Sequence, residues 1–223
     1  MAILRTPFPI GKISGKLGNL VFRIRNNKTY VCRSPVSFTP ASDPASVDRR
    51  LRFKTTSGFS KTVLKLHYVK DVWQKIHKNM SAYNAIFKHN YSKVLPDDLS
   101  DVVSFFPGFG VELICDPLLI DEDGFIVKVK PAYPDYPVDA KYIQMVSVLI
   151  LKNPVYDSEP IIDFEDLNSK PVPVSDEMIL KILYFDSIKE KYKMYGAHKL
   201  FVAFILLNKN KEFLHHSNTH RLK

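Results

Sequence analysis

Pro96-Asp97-Asp98-Leu99 divides the sequence. Before it, apolar residues recur at helical spacing; after it, they recur with a period of two. That change of period assigns the chain to the α+β class. Downstream, Val111-Glu112-Leu113-Ile114-Cys115, Phe125–Val129, Tyr142–Leu151, Met178–Phe185 and Leu200–Leu207 read as strands, with Phe213–His216 a shorter one. Turn signals separate them at Pro107-Gly108, Asp123-Gly124, Asn153-Pro154 and Asn208-Lys209-Asn210-Lys211. Short strands with frequent turns predict an antiparallel β-sandwich over residues 104–223. Pro131-Ala132-Tyr133-Pro134-Asp135-Tyr136-Pro137 reads as an irregular or polyproline-like loop.

Upstream of the divide, Asp43 is a good N-cap and Pro44 suits a first helical position. Val47, Leu51, Thr55 and Phe59 then follow at helical spacing. The expected helices cover about 43–66, 68–78 and 81–89. Arg49, Arg50, Arg52 and Lys54 crowd the first of them, and Gly58 weakens its middle. Ser34–Pro40, with Pro35 and Pro40, reads as an extended linker.

Further back lies Pro9-Ile10-Gly11-Lys12-Ile13-Ser14-Gly15-Lys16-Leu17-Gly18-Asn19-Leu20-Val21-Phe22. Glycine is favoured where φ must be positive or where another backbone comes close. The spacing of Gly11, Gly15 and Gly18 fits neither a phosphate loop nor a dinucleotide fingerprint, so a turn or bent strand is expected. Leu20–Arg25 and Thr29–Arg33 flank Asn26-Asn27-Lys28 and predict a hairpin over 19–33. Leu20, Phe22 and Ile24 share one face of its first strand; Val21, Arg23 and Arg25 share the other. Residues 1–8 read as an extended arm. Arm, hairpin and helices together make a basic module over residues 1–95.

The run Gly11–Phe22, the hairpin ending in Arg33-Ser34-Pro35 and the helix bearing Arg50-Leu51-Arg52-Phe53 resemble an uncharacterised bacterial family. Its members begin with G-x-x-S-G-x-x-G-x-x-V, here Gly11, Ser14, Gly15, Gly18 and Val21. The resemblance covers roughly the first 60 residues. It implies a glycine-rich hairpin, a basic helix and a closing immunoglobulin-like β-sandwich ending near Ser217-Asn218-Thr219. It implies no activity.

The net charge of +9 conceals an asymmetry. Met1–Leu95 carries 18 Lys and Arg against three Asp, a balance of +15; Pro96–Lys223 carries 14 against 20 acidic residues, a balance of −6. Such a division points to an anionic partner for the front segment, or to attraction between the halves. No apolar run approaches the roughly 18 residues that would span a bilayer, so no membrane partner is expected. The start reads as lacking a secretory signal, which predicts a cytoplasmic chain, or a particle-associated one if it is a virion or appendage component. Cys32 and Cys115 are then expected as free thiols.

No hydrolytic triad, metal cluster or carboxylate pair can be assembled from spacing. His215, His216 and His220 form the only histidine group, and adjacent strand residues point to opposite faces. Asp121-Glu122-Asp123-Gly124 reads as a hairpin turn rather than a calcium loop. No cofactor is expected. Two functions compete. In the first, a non-catalytic assembly or interaction protein packs its arm and hairpin on another copy or partner through Gly11, Ser14, Gly15 and Gly18. In the second, nucleic acid binds a patch of Arg23, Arg25, Arg33, Arg49, Arg50 and Arg52, with Phe22, Tyr30 and Phe53 among the charges to stack on bases.

Overall fold

The computed structural model describes residues 2–3, 14–25, 28–34, 37, 39–132, 137 and 139–222. Most of the 1–8 arm and the residues after it up to 13, Gly11 among them, lie outside these, as do Asn26-Asn27 and most of the Tyr133–Val138 loop. The chain divides into two compact units, Met1–Asp43 and Pro44–Lys223.

The first unit is one antiparallel sheet. Its strands are β1 (Ala2–Ile3), β2 (Gly15–Leu17), β3 (Leu20–Arg25) and β4 (Lys28–Arg33), in the order β1-β4-β3-β2. The predicted hairpin is present, with Phe22 opposite Val31 and Arg23 opposite Tyr30. Ser34 N–H closes its base on the Asn19 carbonyl at 2.7 Å.

The second unit begins with α1 (Pro44–Val63), α2 (Val69–Ile76) and α3 (Ala82–Asn90). Pro44 opens α1, where its missing N–H is no loss. The Ser81 hydroxyl caps α3 by accepting from Asn84 N–H at 3.3 Å. The strands are β5 (Leu113–Asp121), β6 (Gly124–Pro131), β7 (Tyr142–Pro154), β8 (Ile162–Asn168), β9 (Val172–Pro173), β10 (Met178–Leu183), β11 (Tyr195–Leu207), β12 (Phe213–His216) and β13 (His220–Leu222). One more helix, α4 (Asp186–Lys193), sits between β10 and β11. β10-β6-β5 make a three-stranded sheet. β12-β11-β7-β8 form the path of a six-stranded one, with β13 on β11 and β9 on β7. Every pairing among these named strands is antiparallel, and an isolated parallel bridge joins Val111 to Ser217.

The large sheet is buried on both faces. Val146, Val148 and Ile150 of β7, with Phe201, Ala203, Ile205 and Leu207 of β11, pack under α1–α3 around Phe59 and Trp73. The alternate residues, among them Met145, Leu149, Val202 and Phe204, pack against Phe125, Val127, Leu180 and Ile182 of the small sheet. The helices therefore belong with the β-rich body, and not with the hairpin as the sequence reading placed them. Their apolar stripes are needed to cover one face of β7 and β11. Gly58 does not weaken α1 without compensation: a Cβ there would come within 2.9 Å of the Phe164 ring. Glycine lets helix and β8 approach closely.

Candidate functional site

Among the described glycines of the first unit, two take a positive φ. Gly15 has φ +118° and Gly18 φ +55°, and a Cβ on either would meet no atom within 4 Å. Both use the positive φ that glycine permits. Ser14 is exposed beside them. Register fixes the faces, because directly paired residues project to the same side. Leu17 pairs with Leu20, Phe22 with Val31, and Ile24 with Thr29. Phe22 is buried, but Leu17, Leu20 and Ile24 on its face are 69%, 40% and 41% exposed. Lys16, Val21, Arg23, Tyr30 and Cys32 occupy the opposite face.

The six arginines of the expected patch fall in both units, three in each. Arg33 pairs with Leu20 and so shares the apolar side, away from Arg23; Arg25 stands opposite Lys28 in β3. Arg49, Arg50 and Arg52 are in the other unit, on α1. Arg49 is exposed and donates to the Ser46 hydroxyl at 2.7 Å. Arg52 turns inward, its Nε enclosed without a partner. One helical turn beyond Arg49 and Arg50, Phe53 is 57% exposed. Its ring lies 5.0 Å from Phe87, which stacks on Tyr91 at 5.5 Å. Ser57 and Tyr83 share a 2.9 Å hydroxyl contact alongside. This aromatic row was missed in the sequence, although Tyr83, Phe87 and Tyr91 recur at intervals of four.

Several titratable groups elsewhere are tied into structure. Among the described residues, no group of three or more His, Cys, Asp or Glu is placed to hold a metal ion. His216 stacks on Phe106 at 4.6 Å, and His220 lies beside Phe204 at 6.3 Å. Burial lowers the pKa of both. Burial, and then the Asp116 carboxylate, push the Cys115 thiol up to about 12, which leaves no thiolate nucleophile near neutrality. Cys115 and Cys32 are both free. Asp98 accepts from Lys152 at 2.8 Å and Lys199 at 2.6 Å, and Lys191 joins Asp163 and Glu165. Asp121 Oδ1 accepts from the amides of Asp123 and Gly124, which makes the acidic run the expected hairpin turn.

A cleft of about 760 Å3 opens between β5 and the first half of β11. His198, Lys199 and Arg221 on its walls each hold a neighbour, with Arg221 Nε left without a partner among the described residues. The His198 ring lies flat on Tyr192 at 3.6 Å with Nε2 on the Tyr192 carbonyl, and Arg221 reaches Asp101 at 2.7 Å. No described helix is long and apolar enough to cross a membrane. No protein-family model matches the chain, and neither the curated proteins nor the solved structures contain a match to it.

Proposed function

We propose that the protein is a non-catalytic assembly module whose N-terminal sheet packs on another chain, a second copy of itself foremost. The observation that carries this reading is the exposure of Leu17, Leu20 and Ile24, three large apolar side chains on one sheet face, the first two paired and the third beyond the buried Phe22. Several large apolar side chains exposed on one face of a small sheet mark a contact surface, where single scattered residues would need no explanation. The second unit then serves as a rigid body, and we read its paired sheets as an immunoglobulin-like β-sandwich, in keeping with the resemblance to the bacterial family. The engaged ion pairs and the neutral Cys115 support a role without catalysis.

Sedimentation velocity tests the reading. The native chain should run as an oligomer, and Leu17→Lys with Ile24→Lys should return it to the mass of one chain. Losing two buried aliphatic side chains removes about 3 kcal/mol, roughly two orders of magnitude in dissociation constant. A native chain that is monomeric across the concentration range sinks the proposal.

A second reading, binding of single-stranded nucleic acid, draws on Phe53, Phe87 and Tyr91 beside the basic start of α1. Stacking on such a row tolerates any base, and the cations would follow the backbone. The same samples titrated with labelled oligo(dT) decide it. Affinity that falls steeply with salt and is lost in Phe53→Ala supports it; no binding at low salt removes it.

A further inference from the structure

The small sheet has two ends, and they are treated differently. β5, at one end, is interrupted by Pro117 and by a register shift between Pro117 and Leu119. Proline and a bulge are the usual devices that stop an edge from recruiting another strand. β10, at the other end, has neither. Its six residues pair in unbroken register with β6 from Met178 to Leu183, and among the described residues no strand is bonded to its other side.

β8 ends the large sheet on the same flank, bonded among the described residues to β7 alone. Between β8 and β10 runs a groove of about 580 Å3, lined by Asp166–Lys170, Val172, Ile179–Leu183 and Phe185. Ile179, Leu183 and Phe185 are 59%, 60% and 76% exposed. Lys181 stands exposed between Ile179 and Leu183 on the outer face. Among the described residues it has no ion pair, whereas the neighbouring Lys128 and Lys130 are both paired with Glu177.

We propose that β10 accepts an extended segment of another protein as an added strand, with apolar, acidic and apolar side chains at alternate positions. Backbone groups on the free edge supply the hydrogen bonds, and the outer face supplies the selection. Ile179 and Leu183 favour apolar neighbours, and Lys181 favours a carboxylate between them. The same lysine opposes self-pairing: the antiparallel register that overlaps Ile179–Leu183 with its own copy sets Lys181 against Lys181. This partner is distinct from the chain that would meet the N-terminal sheet, and the two proposals fail separately.

The probe is a labelled peptide, Thr-Val-Leu-Glu-Val-Val-Thr, read by fluorescence anisotropy against the full chain. It should bind and protect the β10 amides from exchange. Its counterpart with lysine for glutamate should bind about fivefold more weakly, from like-charge in place of opposite-charge pairing. Lys181→Glu should reverse that order, an outcome that general loss of folding cannot produce. Strand addition is overturned if a counterpart N-methylated at glutamate, whose N–H faces Lys181, binds equally well, or if no peptide changes the anisotropy. It is also overturned if Lys181→Glu leaves the order unchanged. Should peptide fail while Lys181→Ala drives the chain to a dimer, the edge belongs to a second copy instead.

Discussion

Two glycines separate the reasons for having no side chain. Gly110 donates its N–H to Asn218 Oδ1 at 2.8 Å, and Val111 N–H meets the His216 carbonyl at 2.8 Å. A Cβ on Gly110 would sit 2.2 Å from the Ser217 carbonyl carbon and 2.6 Å from both Asn218 N and His216 O. These are backbone atoms and cannot swing aside. Ser217 Oγ meanwhile accepts from Phe204 N–H, and Thr219 Oγ1 from Phe105 N–H, so the contact lies inside a clasp joining three segments. Gly110→Ala should therefore cost about 3 kcal/mol, as overpacking against fixed atoms does. Gly18→Ala, with open space and φ +55°, carries only the left-handed penalty of about 1 kcal/mol. Urea unfolding measures the first, and amide exchange along β3 the second. Equal effects would mean that the clasp yields. The sequence singled out Gly18 and passed over Gly110, because a close approach between residues far apart in the chain leaves no local signal.

At the scale of elements, the Asp98 carboxylate joins the segment after α3 to the two central strands. It receives Lys152 of β7, Lys199 of β11 and the Leu99 amide. Burial alone would raise its pKa, but the hydrogen bonds from Lys152, Lys199 and Leu99 outweigh that and hold it below the usual carboxylate value. A depressed carboxylate contributes stability that is complete above its unfolded pKa and is lost as pH falls through the folded one. Asp98→Asn should cost about 2 kcal/mol at neutral pH, short of the range for a fully buried pair because part of each side chain stays wet. It should also flatten the decline of stability below about pH 4. Chemical denaturation at a series of pH values tests both, and an unchanged acid slope would exclude Asp98 as its source. The three helices, the hairpin and six of the strands were legible from local period. β8 was not: Ile162-Asp163-Phe164-Glu165-Asp166-Leu167-Asn168 is too acidic to read as a strand until Lys191 and Lys65 supply its counter-charges. α4, with Ile188 its only fully buried residue, carries too short an apolar stripe.

For the whole molecule, the signal that mattered lay in the two long central strands. Tyr142–Leu151 and Leu200–Leu207 are apolar at nearly every position rather than at alternate ones, which is what a strand buried on both faces requires. A sheet covered twice needs a third layer, and α1–α3 are the elements that can supply it. The charge divide is consequently no domain divide. Of the 18 Lys and Arg before Pro96, seven precede Pro44 and eleven lie on the helical layer of the second unit. Both hydrophobic cores are built entirely from residues after Pro44, while Phe22 is the only fully buried apolar residue described in the first unit. Residues 44–223 expressed alone should thus unfold in one cooperative transition, within about 2 °C of the corresponding transition in the full chain. In the full chain, amides of β2–β4 should exchange well before those of β7 and β11, since little apolar burial opposes their opening. Calorimetry of the truncated chain and hydrogen exchange of the intact one read these two outcomes. A truncated chain without a cooperative transition would show that the helical layer and its sheet depend on residues 1–43, and the division of labour between a binding sheet and a self-sufficient body would then fall.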